Sequence, residues 1–443
     1  MSISKKGLFA SAGVAVVSLV AAAFVAVSPA NATSAACQQI GAGYLPQKGA
    51  TVKLFTSILE PELSKYVAAT KPFEDCTGIK VTWEGSNQFE ALLPVRVKGG
   101  NAPDIAVIPQ PGLLQTMVAT GKAVPAPATT VNNVNKYWSK SWRDLGSVNG
   151  VVYAAPNSAN NKSLVWYSPK QFAKNGYTVP TTWADLFKLS DAMVAKGQTP
   201  WCGGIESGGA TGWPATDWLE ETVVRMYGAK VYNDWIAGKV RFSGSQIQSA
   251  MSTVAGWMLN PKYVGNVKTI ATTSFQSAGL SIPKGTGCQM LQQASFYAAQ
   301  YPAGTDVSPT GDVWAFYLPT INPAVKTPVE GGGEFMLAFN KNPATQELQN
   351  YLSTPNYASA RIAAAGAAGG WLTANAGVSL SEYTNPLDAL MAKYLADKTG
   401  TFVFDASDAT KAAVNAAEWT ELTNWFATGK SQAAVAASID SNW

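Results

Sequence analysis

The chain has 443 residues, a formal net charge of +4 and no histidine. The absence of histidine excludes Ser-His-Asp and Cys-His catalysis, imidazole metal sites and histidine acid–base chemistry. Without Lys5 and Lys6, which belong to a predicted N-terminal signal peptide, the chain has 30 basic residues and 28 acidic ones. This balance excludes binding to nucleic acid or to a membrane surface through bulk charge.

Residues 1–32 have the pattern of a secretory signal peptide. Lys5 and Lys6 precede an apolar run over 7–27, and Pro29 is followed by the small-residue triplet Ala-Asn-Ala at 30–32. This order of a basic, an apolar and a small-residue segment favours cleavage over a membrane-spanning helix. The protein is therefore expected to be exported, to the periplasm, the cell surface or the medium.

The sequence contains four cysteines, Cys37, Cys76, Cys202 and Cys288. An even number behind a signal peptide favours disulfides over reactive thiols, and we expect the pairs Cys37–Cys76 and Cys202–Cys288. Lipid attachment at Cys37 is the alternative for that residue. The segment Ser-Ala-Ala-Cys that ends at Cys37 is a partial lipobox, but it lacks the usual leucine three residues before the cysteine.

About 410 residues after the signal peptide exceed what one hydrophobic core usually serves, so two domains are expected. The first block alternates strands and helices, which predicts a parallel, doubly wound sheet. Its predicted elements are a strand over 51–56, a helix over 63–73, a strand over 79–83, a helix over 89–97, a strand over 104–108 and a helix from Leu113 that ends at Gly121.

A second α/β block begins beyond Pro156. Its predicted elements are a strand over 164–167, a helix capped by Thr182 and ended by Gly197, strands over 201–205, 288–297 and 313–318, and helices from Pro343 to the end. The glycine-rich segment 329–339 reads as a return crossing between lobes. The expected division is a first lobe of 33–157 and 334–398 and a second lobe of 158–333 and 399–443, hinged at several crossings.

Ligands of open parallel sheets sit beyond the carboxyl ends of the strands, so the residues after each predicted strand are the candidate site. Carboxylates, amides and an ammonium there would bond to hydroxyls, and an indole would cover the apolar face of a pyranose. The candidates are Ser57, Glu60, Glu84, Gly85, Ser86, Asn87, Glu90 and Gln110 in the first block, and Asn157, Asn160, Lys162, Glu206, Thr211 and Trp213 in the second.

Several segments resemble the extracellular solute-binding proteins of family 1, and within that family the α-glucoside binders of carbohydrate ABC importers. The similar segments are 83–114, 160–169 (NNKSLVWYSP), 200–220, 288–296, 329–335 (VEGGGEF) and 404–408 (FDASD). The resemblance implies a two-lobed periplasmic-binding-protein fold (type II-like), each lobe a mostly parallel sheet flanked by helices, that closes on a small sugar and delivers it to a membrane permease. It implies no catalysis, no cofactor and a monomer.

The resemblance also implies a set of ligand-binding residues. Trp213 and Phe296 would stack on the sugar, and Glu90, Gln110, Lys162, Glu206 and Glu334 would bond to its hydroxyls. The full implied set is Ser86, Glu90, Gln110, Asn160, Lys162, Glu206, Thr211, Trp213, Gln293, Phe296, Gly332 and Glu334. Two positions depart from similar glucoside binders, because Asn87 replaces an arginine and Glu334 an aspartate.

Three alternatives remain open on the sequence alone. A glycosidase needs only two carboxylates and so survives the absence of histidine. A binder of another solute, such as a peptide or a polyamine, is the second, with metal the least favoured ligand because the sequence shows neither histidine nor clustered carboxylates. A purely structural surface protein is the third, and it would leave the polar residues after the strands unexplained.

Overall fold

The computed structural model describes residues 34–41, 43–396 and 401–443. The expected signal peptide at 1–32 and the expected lobe boundary between 398 and 399 lie outside these residues. None of the described helices combines the length and the apolar character needed to cross a membrane.

Strands and helices alternate along most of the described chain. The strands are β1 (Thr51–Thr56), β2 (Lys80–Gly85), β3 (Ile105–Ile108), β4 (Ser147–Val148), β5 (Val151–Val152), β6 (Ala154–Pro156), β7 (Leu164–Tyr167), β8 (Thr199–Trp201), β9 (Cys288–Gln292), β10 (Trp314–Tyr317), β11 (Pro328–Gly331), β12 (Phe335–Ala338) and β13 (Thr401–Phe404). The helices are α1 (Ala35–Ile40), α2 (Leu63–Thr77), α3 (Phe89–Lys98), α4 (Pro111–Ala119), α5 (Ala128–Tyr137), α6 (Lys140–Leu145), α7 (Pro169–Asn175), α8 (Trp183–Ala195), α9 (Trp213–Ile236), α10 (Ser245–Met258), α11 (Pro261–Val264), α12 (Val267–Ile270), α13 (Pro343–Leu352), α14 (Pro355–Ala365), α15 (Pro386–Ala396), α16 (Ala406–Ala409), α17 (Ala412–Thr428) and α18 (Gln432–Asp440).

Two larger sheets organise the fold. The first sheet has the strand order β2-β1-β3-β12-β6, in which β12 runs antiparallel to both of its neighbours and the other strands share one direction. The second sheet has the order β10-β7-β9-β8, in which β7 is the reversed strand. The expected α/β class is confirmed, and most strands of each sheet run in one direction. The single reversed strand of each sheet makes two of the four pairings in the first sheet and two of the three in the second antiparallel.

Side chains of the first sheet are buried on both faces. Because successive strand residues point to opposite faces, Leu54 and Val107 pack on one side with Tyr66 of α2, whereas Phe55 and Ile108 pack on the other with α3 and α4. The complete burial of β3 follows from this two-sided cover, which is typical of sheets with helices on each face. Strand β7 of the second sheet is also buried on both faces.

The segments between the two sheets bond to one another. The first crossing, residues 157–163, joins β6 to β7, and the return crossing runs from β10 through β11 to β12. Asn160 N donates to Gly332 O at 2.9 Å and Lys162 N to Glu330 O at 2.9 Å. β11 also pairs in parallel with β13, so three stretches of chain lie side by side beneath the space between the sheets.

Two disulfides join the pairs expected from the sequence. Cys37 bonds to Cys76 with a Cα–Cα distance of 4.8 Å, and Cys202 bonds to Cys288 with a Cα–Cα distance of 5.1 Å. A disulfide at Cys37 occupies the sulfur atom that lipid attachment would require.

Two of the expected strands differ from the prediction. The strand expected over 201–205 lies earlier in the chain, as β8 (Thr199–Trp201), and shares only Trp201 with the predicted range. It ends there because Gly203 and Gly204 follow and their backbones lie against Ile270 and Thr273. The strand expected over 288–297 ends at Gln292 and gives way to a 3-10 turn over 295–300. In both places the chain leaves the sheet at the edge where the candidate site was expected.

Candidate ligand-binding cleft

A cleft of about 1120 Å³, part of it open to solvent, lies between the two sheets and above the crossing segments. Residues that follow β1, β2 and β3 line one wall, and residues that follow β8 and β9 line the opposite wall. The first crossing, the return crossing and the segment after β13 form the floor. The cleft therefore lies at the carboxyl ends of the strands, where ligands of open α/β sheets bind.

The structure brings seven of the twelve implied ligand residues to this cleft. They come from both walls and from the floor, and they are Glu90, Gln110, Asn160, Lys162, Trp213, Phe296 and Glu334.

The other five implied residues do not line the cleft, and each shapes a loop beside it. Ser86 Oγ accepts from Gln88 N, and Glu206 Oε1 accepts from Gly208 N at 2.9 Å. Thr211 Oγ1 donates to Gly208 O at 2.8 Å. Gln293 Oε1 accepts from Ala294 N at 2.7 Å, and Gly332 N donates to Asn160 Oδ1 at 2.8 Å.

Glu90 and Gln110 form a polar pair on the wall of the first sheet. Glu90 is in the first turn of α3, and Gln110 directly precedes α4. Gln110 Nε2 donates to Glu90 Oε1 at 3.3 Å, while Gln110 Oε1 is buried without a hydrogen-bond partner in the described structure. Burial raises the pKa of the Glu90 carboxyl to about 7, and its hydrogen bonds only partly offset that effect.

Glu334 follows the three glycines of the return crossing. Its backbone N donates to Ser158 Oγ at 3.1 Å, which ties the return crossing to the first crossing. Burial raises the pKa of its carboxyl to about 8, and the charge of Glu62 adds to the shift. Glu90 and Glu334 therefore both hold a proton close to neutral pH and can donate as well as accept.

Lys162 is held in the floor by two carboxylates. Its Nζ donates to Asp217 Oδ1 at 2.7 Å and to Asp405 Oδ2, and all three side chains are almost fully buried. Burial would lower the pKa of the ammonium, but the two carboxylates outweigh burial and hold it well above its ordinary value. An ammonium has three hydrogens, so one remains for a ligand.

The two carboxylates that hold Lys162 differ in their own ionisation. Burial raises the pKa of Asp217 to about 7, whereas for Asp405 the charge and hydrogen bond of Lys162 outweigh burial and lower the pKa. We take Asp405 as the main ionic partner, because it also accepts hydrogen bonds from Asp408 N and Ser407 Oγ. Asp217, Glu330 and Asp405 form a carboxylate cluster that the sequence did not reveal, and Lys162 bonds to two of its members.

Aromatic rings cover parts of both walls. Trp213 lies with its ring centroid 5.0 Å from that of Phe275 and 6.0 Å from that of Phe296, on the side of the second sheet. On the side of the first sheet, Trp371 Nε1 donates to Tyr66 Oη at 3.0 Å. Rings on both sides can cover the apolar faces of a ligand that spans the cleft.

Several cleft residues were not identified as site residues from the sequence. Tyr66 was predicted only as part of the helix over 63–73. Trp371 lies in a loop that shows no clear sequence pattern. Asp405 and Asp408 fall within the family-like segment FDASD, which was the one signal available for them. The further residues of this kind are Glu62, Phe275, Gln276, Gln300 and Trp419.

Comparison with known proteins agrees with this architecture. Residues 57–357 match the family described as bacterial extracellular solute-binding protein. The osmoprotective compounds-binding protein GgtB of Synechocystis sp. is 33% identical over 88% of this chain and 92% of its own length. The α-glucosides-binding periplasmic protein AglE of Rhizobium meliloti is 32% identical over 89% of this chain and 87% of its own.

A solved structure supports the same fold at low sequence identity. The bacterial solute receptor AcbH, described as having an exclusive preference for β-D-galactopyranose, superposes with a TM-score of 0.75. It is 17% identical and covers 88% of this chain and 98% of its own. The cleft between two α/β sheets, the match over most of the chain and the full-length relatives together show that this protein is not an enzyme but belongs to the bacterial extracellular solute-binding proteins.

Proposed function

We propose that this protein is the binding component of a carbohydrate ABC importer and that it holds an α-glucoside or a related small sugar in the cleft. The observation that carries the proposal is the meeting of polar and aromatic side chains from both sheets in one cleft of about 1120 Å³. Small-ligand sites in proteins typically combine apolar and aromatic walls with a few polar groups that converge on the ligand. The names of GgtB and AglE support a small solute of this kind.

Each group in the cleft would have a distinct task. Trp213 and Phe296 would stack on the apolar face of a pyranose ring, as aromatic rings do on CH surfaces. Glu90, Gln110 and Glu334 would bond to the sugar hydroxyls, and the remaining hydrogen of Lys162 would reach the ligand from the floor. Ser86, Glu206, Thr211, Gln293 and Gly332 would act on the ligand only through the loops that they shape.

The proposal includes closure of two lobes about the crossing segments. The first lobe would comprise 33–157 and 334–398, and the second 158–333 and 399–443. Hydrogen bonds between the crossings support a hinge at this place, since the bonded segments are short and lie at the base of the cleft. Closure would bury the sugar and present an altered surface to the permease in the membrane.

Calorimetric titration of the exported form with maltose, trehalose, sucrose and glucose tests the proposal. We expect heat of binding with at least one of these sugars. Trp213→Ala should weaken binding by roughly 1 to 3 kcal/mol, because aromatic anchors at the centre of a site carry a large share of binding energy.

Trp443→Ala is the matched control, because Trp443 lies at the end of the chain and packs near Arg241 and Lys411 rather than at the cleft. It should leave the affinity unchanged. Folded protein that gives no heat with any of the four sugars would contradict the proposed function.

A further inference from the structure

The cleft is rich in carboxyl groups and poor in cations. Glu62, Glu90, Glu334, Asp405 and Asp408 all line it. Of the cleft-lining residues that the structure describes, only Lys162 carries a positive charge, and its ammonium is already bonded to Asp217 and Asp405. The electrostatic character of the cleft is therefore acidic.

Three of these five carboxyl groups form no direct ion pair among the described residues, although the charge of Lys162 acts on Glu334 and Asp408 at longer range and that of Arg361 on Glu334. Asp405 is paired with Lys162, and Glu62 Oε1 lies 3.4 Å from Arg361 Nη2. Glu90, Glu334 and Asp408 take part in no ion pair. A carboxyl group that is buried without a cation keeps its proton, because the ionised form is costly away from water. A ligand that brings a positive charge would stabilise the ionised form of these groups and gain an ion pair.

The side chain of Gln110 gives independent evidence that the unliganded cleft lacks a hydrogen-bond donor. Its side chain is 4% exposed, its Nε2 is bonded to Glu90, and its Oε1 is buried without a partner. A buried acceptor left without a donor costs about 1–3 kcal/mol. Gln110 therefore keeps an unpaired acceptor, itself shielded from solvent, beside the Glu90 carboxyl at the cleft wall. A ligand group with several hydrogens to donate would satisfy both groups if closure brings it within reach.

The aromatic side chains of the cleft also favour a cationic ligand. Phe275 and Phe296 flank Trp213, and the face of an aromatic ring attracts a cation. The protein already makes this contact at Tyr66, where the Arg361 guanidinium lies 4.2 Å from the ring centroid, and at Trp213, where Lys162 Nζ lies 5.4 Å from it. The rings of Phe275 and Phe296 are therefore the ones that a ligand cation would contact. An ammonium group on the ligand would meet acceptors on one side and ring faces on the other.

We propose that the cleft selects its saccharide by charge, binding one that carries a basic nitrogen more tightly than its neutral parent and rejecting the anionic counterpart. The inference rests on the proposed function and adds the class of sugar to it. A neutral sugar alone would leave Glu90, Glu334 and Asp408 without an ion-pair partner. A uronate or phosphate would place a negative charge near the Asp405 carboxylate and would oppose ionisation of the other three groups. Their raised pKa values are consistent with carboxyl groups that lack a cation in the unliganded cleft.

Four matched probes test the proposal: methyl α-D-glucoside, its 2-amino-2-deoxy and 6-amino-6-deoxy analogues, and methyl α-D-glucuronide. Calorimetry at pH 7 should give at least one amino analogue an affinity fivefold or more above that of the parent. The glucuronide should bind tenfold or more weaker than the parent. These compounds differ little in size, so the comparison isolates charge.

The outcomes separate this inference from the proposed function. Amino analogues that bind no tighter than the parent, or a glucuronide that binds as tightly, would overturn the inference. The same holds if none of the four binds. Heat with maltose, trehalose, sucrose or glucose would in each of these cases leave the proposed function standing.

Substitution locates the effect. Glu334→Gln and Glu90→Gln each remove one unpaired carboxylate and keep the size of the side chain, and the ratio of amine to parent affinity should fall at least threefold in one of them. Asp75→Asn is the control, because Asp75 lies near the end of α2 and pairs with Lys71 on the surface, and it should keep the wild-type ratio. A ratio unchanged in both glutamate variants would refute the assignment.

Discussion

Lys162 holds the floor of the cleft together and keeps one ammonium hydrogen for a ligand. Two of its three ammonium hydrogens are bonded to Asp217 and Asp405, and these bonds join the first crossing to α9 and to the segment after β13. Replacing a buried ion pair as a whole is often tolerated, whereas removal of one partner leaves an uncompensated charge. Lys162 is thus primarily a positioning residue for the floor of the cleft.

Lys162→Met should destabilise the unliganded protein by about 3–5 kcal/mol, because Asp405 would remain buried without its cation. Urea unfolding at pH 7 measures the change. The control is Lys140→Met, since Lys140 pairs with Asp144 on the surface with side chains 83% and 53% exposed, and exposed pairs contribute about 0–1 kcal/mol. Equal losses in the two variants would show that the buried pair has no special role.

The sequence identified the loops that form the site more accurately than the individual side chains that line it. The set implied by the resemblance contains Ser86, Glu206 and Gly332, whereas their neighbours Asn87, Ser207 and Gly333 line the cleft. Of these three neighbours, Asn87 was already a candidate from its place after a predicted strand. The strand pattern locates the loop, but past the end of a strand the side chains no longer alternate. Which residue faces the cleft is then decided by turn hydrogen bonds that the sequence does not display.

The crossing segments are the elements on which closure would depend. Their backbones pack so closely that side chains are excluded at particular positions. A Cβ atom on Gly333 would lie 2.2 Å from Ser158 O and 2.9 Å from the Trp142 ring. Because glycine has no Cβ, it allows the two crossings to lie in contact at this position.

Gly333→Ala should destabilise the protein by about 1–3 kcal/mol, the usual cost of overpacking, because one crossing must move away from the other. Gly256→Ala is the matched control. Gly256 lies within α10 with open space around it, so alanine there should stabilise the helix by about 0.5–1 kcal/mol. Thermal and urea unfolding of both variants measure the difference, and an unaltered stability of Gly333→Ala would contradict the packing described above.

Elements with a clear hydrophobic pattern were predicted with accurate bounds. The strand over 51–56 and the strand over 164–167 coincide with β1 and β7, and Thr182 accepts the capping hydrogen bond from Asp185 N. The reversed strands β7 and β12 were not predicted as reversed, because strand direction depends on which strands become neighbours. Contacts between distant parts of the chain determine which strands become neighbours, and the local hydrophobic periodicity does not indicate those contacts.

The molecule as a whole contains many buried carboxyl groups. Burial is the main cause of the raised pKa of Glu90 and Asp388, to about 7, and of Glu220 and Glu334, to about 8. In the unfolded chain these groups ionise near their ordinary values of 3.8 to 4.5. Since the chain has no histidine, no imidazole contributes to titration between pH 5 and 8, and the carboxyl groups govern this range.

The unliganded protein should therefore lose stability as the pH rises from about 5 to about 8. In this range the folded state binds more protons than the unfolded chain, so the free energy of unfolding falls by about 1.4 kcal/mol per pH unit for each proton held only in the folded state. Ionisation of Asp405 changes the free energy of unfolding in the opposite direction, because its pKa is lowered in the folded state. The stability that Asp405 contributes is lost only at more acidic pH. Urea unfolding at pH 5, 6.5 and 8 and constant ionic strength measures the slope. Glu334→Gln should make that slope shallower, and a free energy of unfolding that stays level or rises with pH would show that these groups are ionised in the folded protein.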